Sequence, residues 1–341
     1  MNGNSTFRHQ NVALLSATAI EAPQVVTSDE LEAQLTDTLT RLRMRPNMLA
    51  GVAGVKERRW WGPDMDFVDG AATAGAKALA EAGVEPSQVG LLINTSVTRT
   101  HLEPAVSVSV HNALGLPSSA MNFDVTNACL GFVNAITLAA TMIDAGQIEY
   151  ALIVGAEGIE QMQRSTIERL NQPGTTRRDL MNQFASLTLG CGAAAAVLGR
   201  ADRHPGGHRI VGGVSRAGTS SHELCVASLD DMRTDASGLL REGLQLVHAA
   251  WDEALGDGWD WTDMDRYVMH QVSDAHIRAI SEAAAIDQAR VPLTYPFWGN
   301  VGPAALPMTL AHEVDSLTSG DRVLCMGVGS GLNTAMVEIA W

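Results

Sequence analysis

A chain of 341 residues, 46% hydrophobic and only 18% charged, carries enough apolar surface for one large domain or two ordinary ones and is not a disordered polypeptide. Its formal charge of −15 and pI near 5.0 argue against nucleic acid as a partner. No run approaches the roughly 18 apolar residues of a membrane span, and Met1–Gln10 lacks the apolar core of a secretory leader.

In chain order, Asn11–Ile20 reads as a first strand. Thr27-Ser28-Asp29-Glu30 has the capping residue and early acids of a helix start, and Leu31–Leu42 continues at helical spacing. Lys56-Glu57-Arg58-Arg59-Trp60-Trp61 is the densest basic stretch, either a patch for an anionic ligand or a solvated surface turn. Asp66–Ala82 is an alanine-rich helix with Gly83 as its C-cap. Val89–Val97 is continuously apolar, as in a strand buried on both faces, and Pro104–Leu114 is helical. Asn122–Cys129 alternates like a strand and runs at once into the helical pattern of Phe132–Ile143. Tyr150–Glu157 is another buried strand. Gln161–Gln183 is a polar helix with a surface excursion, broken at Pro173-Gly174, and Leu187–Leu198 is a further strand.

Asp202–Gly207, polar with Pro205 and two glycines, is the best internal boundary. Beyond it the order recurs. His208–Val214 is a strand, Thr234–Ala254 a helix, Asp265–Ser273 a strand and Asp274–Ala285 a helix. Phe297–Ala304 is a Gly/Pro-bounded turn leading into a helix that reaches Val314, and Asp321–Gly331 and Leu332–Trp341 close the chain as strands. Tyr150–Glu157 matches Arg322–Gly329, each after a short turn with glycine and an acid. Asn94-Thr95-Ser96 and His270–Ser273 each end the second strand of their half with polar residues. Two similar halves of alternating strands and helices predict a layered α/β fold with functional residues at strand ends.

Four features collect at those ends. Cys129 opens a helix, where free amides and the dipole favour an anion and would lower the thiol pKa. A cysteine in an apolar run is equally an ordinary core residue. His270 follows an apolar strand, as a catalyst or as a satisfied structural histidine. Asn300 stands between glycines, as a ligand group or as a turn residue tolerant of left-handed backbone. Gly327-Val328-Gly329-Ser330-Gly331 presents backbone amides in a tight turn, but no long helix follows it as a nucleotide loop would require. The four cysteines (Cys129, Cys191, Cys225, Cys325) are scattered and form no C-x-x-C pair. They fit neither a zinc site nor a disulfide framework, so a cytoplasmic location is expected.

As a set these residues resemble the thiolase superfamily, in its ketoacyl-carrier-protein synthase III branch. The matching motifs are Gly54-Val55-Lys56-Glu57-Arg58-Arg59, Asn127-Ala128-Cys129-Leu130-Gly131-Phe132, His270-Gln271, Gly299-Asn300-Val301-Gly302 and Gly327–Gly331, in family order across residues 11–341. Within the branch the chain most resembles the OleA-type enzymes, which join two fatty acyl-CoA molecules head to head. Ile93-Asn94-Thr95-Ser96-Val97, Leu102-Glu103-Pro104, Leu187–Gly192 and Gly329-Ser330-Gly331-Leu332-Asn333 carry that likeness.

The resemblance implies a thiolase-like α/β fold, with duplicated βαβαβαββ halves stacked in five αβαβα layers. One half spans residues 1–201 and holds the nucleophile; the other spans 202–341 and holds the His and Asn. Cys129 is implied as the nucleophile that takes the first acyl group, and the backbone amides of Cys129 and Ser330 as the oxyanion hole. His270 and Asn300 are implied to stabilise the enolate of the second thioester, with His270 also helping to activate the thiol. Glu103 is implied as the base that removes an α-proton, reaching the active site of the other subunit. On its residues alone it is a helix N-terminal acid before Pro104.

The implied reaction is a non-decarboxylative Claisen condensation of two long-chain acyl-CoAs to a 2-alkyl-3-ketoacyl thioester or acid, feeding β-lactone or long-chain olefin formation. Coenzyme A enters only as part of the substrate, with no cofactor and no metal. The implied assembly is a homodimer, or a heterodimer with a related chain. A decarboxylative 3-oxoacyl-ACP synthase III using malonyl-ACP is the alternative. A non-catalytic partner subunit is a second, although a scaffold has no need of Cys129, His270 and Asn300 together. Met48 and Val52 stand where synthase III enzymes place a Trp and an Arg for the CoA adenine, which leaves Arg58 and Arg59 as the candidate CoA contacts. The 14 methionines suit adaptable apolar channels for alkyl chains and are also ordinary core filler.

Overall fold

A computed structural model describes residues 5–341; the first four residues of the stretch read above for a leader lie outside it. The chain begins with β1 (Thr6–Arg8) and β2 (Val12–Glu21), then β3 (Gln24–Thr27), which pairs antiparallel with β4 (Glu57–Trp60). Between them lie α1 (Ser28–Ala33), α2 (Thr36–Arg41) and α3 (Met48–Val52). Thr27 and Glu30 form a reciprocal capping box at the start of α1. The helix expected over Leu31–Leu42 is thus two short helices.

Next comes α4 (Phe67–Ala82), capped by the Asp66 carboxylate on the amides of Val68 and Asp69 and stopped by left-handed Gly83. It is followed by β5 (Leu91–Asn94), α5 (Val106–Ala113), β6 (Met121–Asp124), α6 (Gly131–Asp144), β7 (Tyr150–Glu157), α7 (Glu160–Leu170), α8 (Arg177–Gln183) and β8 (Gly192–Arg200). The remainder comprises β9 (His208–Ala217), the hairpin β10 (Cys225–Ala227) and β11 (Met232–Thr234), α9 (Ala236–Gly256), β12 (Arg266–Met269), α10 (Asp274–Ala283), α11 (Tyr295–Trp298), α12 (Ala305–Glu313), β13 (Arg322–Gly329) and β14 (Asn333–Ala340). The hairpin lies in a polar stretch whose pattern suggested neither strand nor helix.

The duplication is visible in the sheet order. One set runs β6-β5-β7-β8-β2 and the other β12-β13-β14-β9, with β1 added on β9. In the first set β5 pairs parallel with both β6 and β7, and in the second β12 pairs parallel with β13; the remaining pairs of each set are antiparallel. Among the described residues the sets pair strand to strand only where Ala13 and Leu14 of β2 meet Arg209 and His208 of β9.

Side-chain alternation along these strands builds the layers. On β7, Leu152, Val154 and Ala156 join the core beneath α4, whereas Ala151 and Ile153 face the opposite way with Phe132, Ile136 and Ala140 of α6. On β13, Val323 and Cys325 face that same central core, while Leu324 and Met326 pack with Val247 and Ala250 of α9 and Ile277 of α10. Helices α6 and α12 therefore fill a middle layer shared by both sheets. Helix α4 covers one outer face and α9 with α10 the other, giving five layers. Among the described residues no helix is long and apolar enough to cross a membrane.

The helical layer starts where backbones approach closely. A Cβ on Gly131, the first residue of α6, would lie 2.9 Å from the Val125 carbonyl oxygen and 3.0 Å from that of Thr95. A second close approach docks the turn after α11. Asn300 N donates to Thr188 O at 2.9 Å and Gly190 N donates to Asn300 O at 2.9 Å. A Cβ on Gly190 would overlap the Trp298 carbonyl. Gly190→Ala is expected to displace this turn and lower stability by about 1–3 kcal/mol, read as a fall in thermal midpoint. An unchanged midpoint would show that the turn relaxes freely.

Candidate active site

Cys129 lies in the loop Val125–Leu130 between β6 and α6, after Ala128 at φ +44°. Asn127 ties this loop to its surroundings: its Nδ2 donates to Asn134 Oδ1 at 2.8 Å and its Oδ1 accepts from Asn333 Nδ2 at 3.1 Å. The glycine-rich turn closes from the other half. A Cβ on Gly329 would sit 3.2 Å from Asn127 O and 3.5 Å from the Cys129 amide nitrogen. The amides of Cys129 and Ser330 are thereby brought to one place.

His270 directly follows β12, its own amide donating to Met326 O at 2.8 Å. The ring is 5% exposed, and neither nitrogen has a hydrogen-bond partner. A buried imidazole with both nitrogens open is costly unless a ligand takes them. Asn300 Oδ1 accepts from Gly302 N at 2.9 Å, and no protein acceptor among the described residues takes its Nδ2 group. The structure thus gathers Cys129, His270, Asn300 and Ser330 around one apolar cavity of about 160 Å³. It is walled by Leu240, Leu244 and Val247 of α9 and Met326, Val328 and Met336 of the strands beneath. A wider cleft of about 1310 Å³ opens on the other side. Cys129, Leu189, Cys225, Met232, Asn300 and Ser330 line both spaces, so the two adjoin at one thiol.

Burial dominates the electrostatics. The Cys129 thiol is pushed up to about 12, chiefly by desolvation and then by Cys225 and Glu157 nearby. The expectation of a helix-lowered thiol is overturned: Cys129 precedes α6 by two residues, and loss of water outweighs its backbone hydrogen bond. His270 is driven down to about 3 by burial and then by His276. The unliganded pair is therefore a neutral thiol and a neutral imidazole.

Glu103 lies apart from this group. It is exposed in the segment between β5 and α5 and lines neither cavity of its own chain. Arg58 has a different employment from the one expected. It is 0% exposed and donates to Leu187 O at 2.9 Å and Ser28 Oγ at 3.0 Å, because β4 turns it inward beside Trp60. Arg59 is spent on Glu57 at 2.8 Å and Glu21 at 3.2 Å. Neither guanidinium is free for coenzyme A. Met48 is buried and Val52 exposed on α3.

Two cavity residues escaped the sequence reading. Cys225, on the unforeseen hairpin, carried no local signal. Glu157 did carry one, as the only charge in the apolar run of β7. It is 3% exposed, burial lifts it to about 7, and it lines the wide cleft with Cys129 and Asn300.

Two results follow. Alkylation of Cys129 by iodoacetamide, read by peptide mass spectrometry, should keep rising about tenfold per pH unit from about pH 7 to about pH 10; a plateau at neutral pH would contradict a protonated resting thiol. Arg58→Ala should cost about 2–4 kcal/mol by leaving a cavity and unpaired carbonyls, with KM for acyl-CoA unchanged. A raised KM at unaltered stability would restore Arg58 to the substrate site.

Residues 63–199 match the thiolase N-terminal domain, and residues 256–341 match the 3-oxoacyl-[acyl-carrier-protein] synthase III C-terminal domain. The chain is 41% identical over 335 residues to an acyl-CoA:acyl-CoA alkyltransferase of Xanthomonas campestris, covering 97% of this chain and 99% of the relative. It is 33% identical over 335 residues to the enzyme of the same name from Shewanella oneidensis, covering 94% and 96%. Among solved structures, Xanthomonas campestris OleA with bound lauric acid and lauroyl-CoA superposes at a TM-score of 0.95, with 40% identity over 98% of this chain and 100% of that one. The cerulenin-bound form matches at the same score and identity, covering 98% of each. Variants of that protein at a cysteine, a histidine and a glutamate share the fold.

Proposed function

We propose, since this chain belongs to the OleA-type acyl-CoA:acyl-CoA alkyltransferases of the thiolase superfamily, that it joins two long-chain acyl-CoAs head to head by Claisen condensation without decarboxylation. The observation that carries this reading is the meeting of two cavities at one partly buried thiol, beside an imidazole whose nitrogens are both open.

In the first half-reaction Cys129 sulfur attacks the thioester carbonyl of one acyl-CoA. The thiol proton leaves as the C–S bond forms, the acyl group becomes a thioester on Cys129, and free coenzyme A departs carrying a proton. A neutral imidazole offers one donor and one acceptor nitrogen, so His270 serves this exchange without being charged. In the second half-reaction the partner subunit's Glu103 removes an α-proton from the second acyl-CoA. His270 and the Asn300 amide donate to the resulting enolate oxygen. The enolate carbon attacks the acyl-Cys129 carbonyl, and the Cys129 and Ser330 amides hold the tetrahedral oxyanion, at roughly 3 kcal/mol per donor. Collapse expels the Cys129 thiolate, which recovers a proton, and leaves a 2-alkyl-3-ketoacyl-CoA. Hydrolysis of its thioester, which releases the second coenzyme A, and reduction of its ketone by an external hydride donor give the β-hydroxy acid that β-lactone or long-chain olefin formation requires.

Glu103 needs a second copy of the chain, and the surface supports one. Strand β6 is the edge of its sheet, and Leu102, Val108 and Met121 near it are exposed, Leu102 at 93%. Pairing two copies along this edge covers those side chains and closes the wide cleft. The four free cysteines suit a reducing cytoplasm.

Incubation with one long-chain acyl-CoA alone should release coenzyme A and yield the 2-alkyl-3-keto product. Glu103→Ala should still acylate Cys129, seen as an intact-mass adduct, while condensation falls by about 100-fold or more. Coenzyme A release that demands a malonyl thioester, or a fully active Glu103→Ala enzyme, would overturn the reading.

A further inference from the structure

The segment that carries Glu103 leaves the sheet at the end of β5 and returns at α5, and it is held at both ends by carboxylates from neighbouring strands. At its exit, Glu157 Oε1 accepts the Val97 amide at 2.7 Å, and Oε2 accepts the Thr98 amide at 3.0 Å together with the Thr98 hydroxyl. Asp124 holds both ends, accepting Arg99 Nη1 from the exit at 2.6 Å and the amides of Val106 and Ser107 at the return at 3.1 and 2.9 Å. The stretch between, Thr100 to Pro104 with Leu102 and Glu103, is exposed throughout.

Glu157 is an expensive choice for a structural acceptor. It is 3% exposed, and no Lys or Arg lies within ion-pairing distance of it among the described residues. Two amides and a hydroxyl could be satisfied by a neutral side chain and water without burying a charge. What the carboxylate adds is a set of charge-assisted bonds, shorter and stiffer than neutral ones. It also touches the other part of the site: a Cβ on Gly302 would lie 3.3 Å from Glu157 Cγ, one turn from Asn300. A single side chain thus abuts both the segment bearing Glu103 and the turn bearing Asn300.

We propose that Glu157 is a positioning residue for α-proton removal, its carboxylate fixing Val97 and Thr98 and through them the reach of Glu103 toward the partner subunit's Cys129. This rests on the reading of Glu103 as the base. Glu157 makes all three of its contacts within its own chain and takes no proton from substrate; it sets where another group does so.

The two half-reactions separate this role from general damage. Glu157→Gln keeps one acceptor oxygen and loses the charge. It should lower steady-state condensation by up to about 100-fold, as expected for misplacement of a reacting group, while single-turnover acylation of Cys129 by acyl-CoA, followed by intact mass, stays within about threefold of wild type. Thr98→Val, which deletes one donor to the same carboxylate, should shift condensation in the same direction by a smaller factor, and it carries the test if Glu157→Gln does not fold. Condensation unaltered by either variant, or acylation and condensation falling together, would overturn the inference. A Glu103→Ala enzyme with full activity would instead sink the underlying reading, whatever the two variants do.

Discussion

The contact on which the site depends is the approach of the β13 end to the nucleophile loop. A Cβ on Gly327 would come within 2.6 Å of Leu130 Cδ2, and one on Gly329 within 3.2 Å of Asn127 O. Side chains at either position would hold the halves apart, so the missing methyl groups let two sheets meet at their strand ends. Everything chemical follows from that distance. Cys129 and Asn127 come from one half, and His270, Asn300 and Ser330 from the other. The Asn127–Asn333 hydrogen bond spans the seam. The shared middle layer of α6 and α12 makes the seam rigid, since each helix buries residues against both sheets.

Desolvation then sets the resting state of the groups gathered there. It keeps Cys129 a thiol and His270 an uncharged imidazole, and it lifts Glu157 to about 7. A charged pair in such a cavity would have to be stabilised before any substrate arrived. A neutral pair leaves the donors and acceptors uncommitted, which is why neither His270 nitrogen has a protein partner. In the proposed reaction the thioester carbonyl supplies the partner, and the charge that develops on its oxygen would meet amides already in place. Preorganisation of that kind involves no reorientation at the moment of reaction.

Much of this was legible in the sequence because it rests on pattern. The matching strands Tyr150–Glu157 and Arg322–Gly329 announced a repeat that the sheet order carries through. Cys129, His270 and Asn300 stood at element boundaries, where the fold collects them. The failures have physical causes. Arg58 sits in a basic run that looks solvated, but the two-residue period of β4 sends it inward with Trp60 and leaves Arg59 outside. The thiol pKa was misjudged because helix position is local, whereas burial depends on residues hundreds of positions away. The hairpin carrying Cys225 is too short and polar to show alternation.

Glu103 shows the limit of a single chain most clearly. Its segment is anchored at Val97–Arg99 and at Val106–Ser107, so the projecting tip is short and its direction is set. A loop held this firmly at both ends is not merely a connection, because a surface crossing from β5 to α5 needs no pair of carboxylates to anchor it. Nor does the tip serve its own core, since Leu102 stands almost wholly in water beside an unpaired sheet edge. Exposed apolar groups around a free edge are unfavourable unless a second surface covers them. A neighbouring copy covering this edge, as proposed above, would account for the geometry of the tip and would receive the carboxylate it presents.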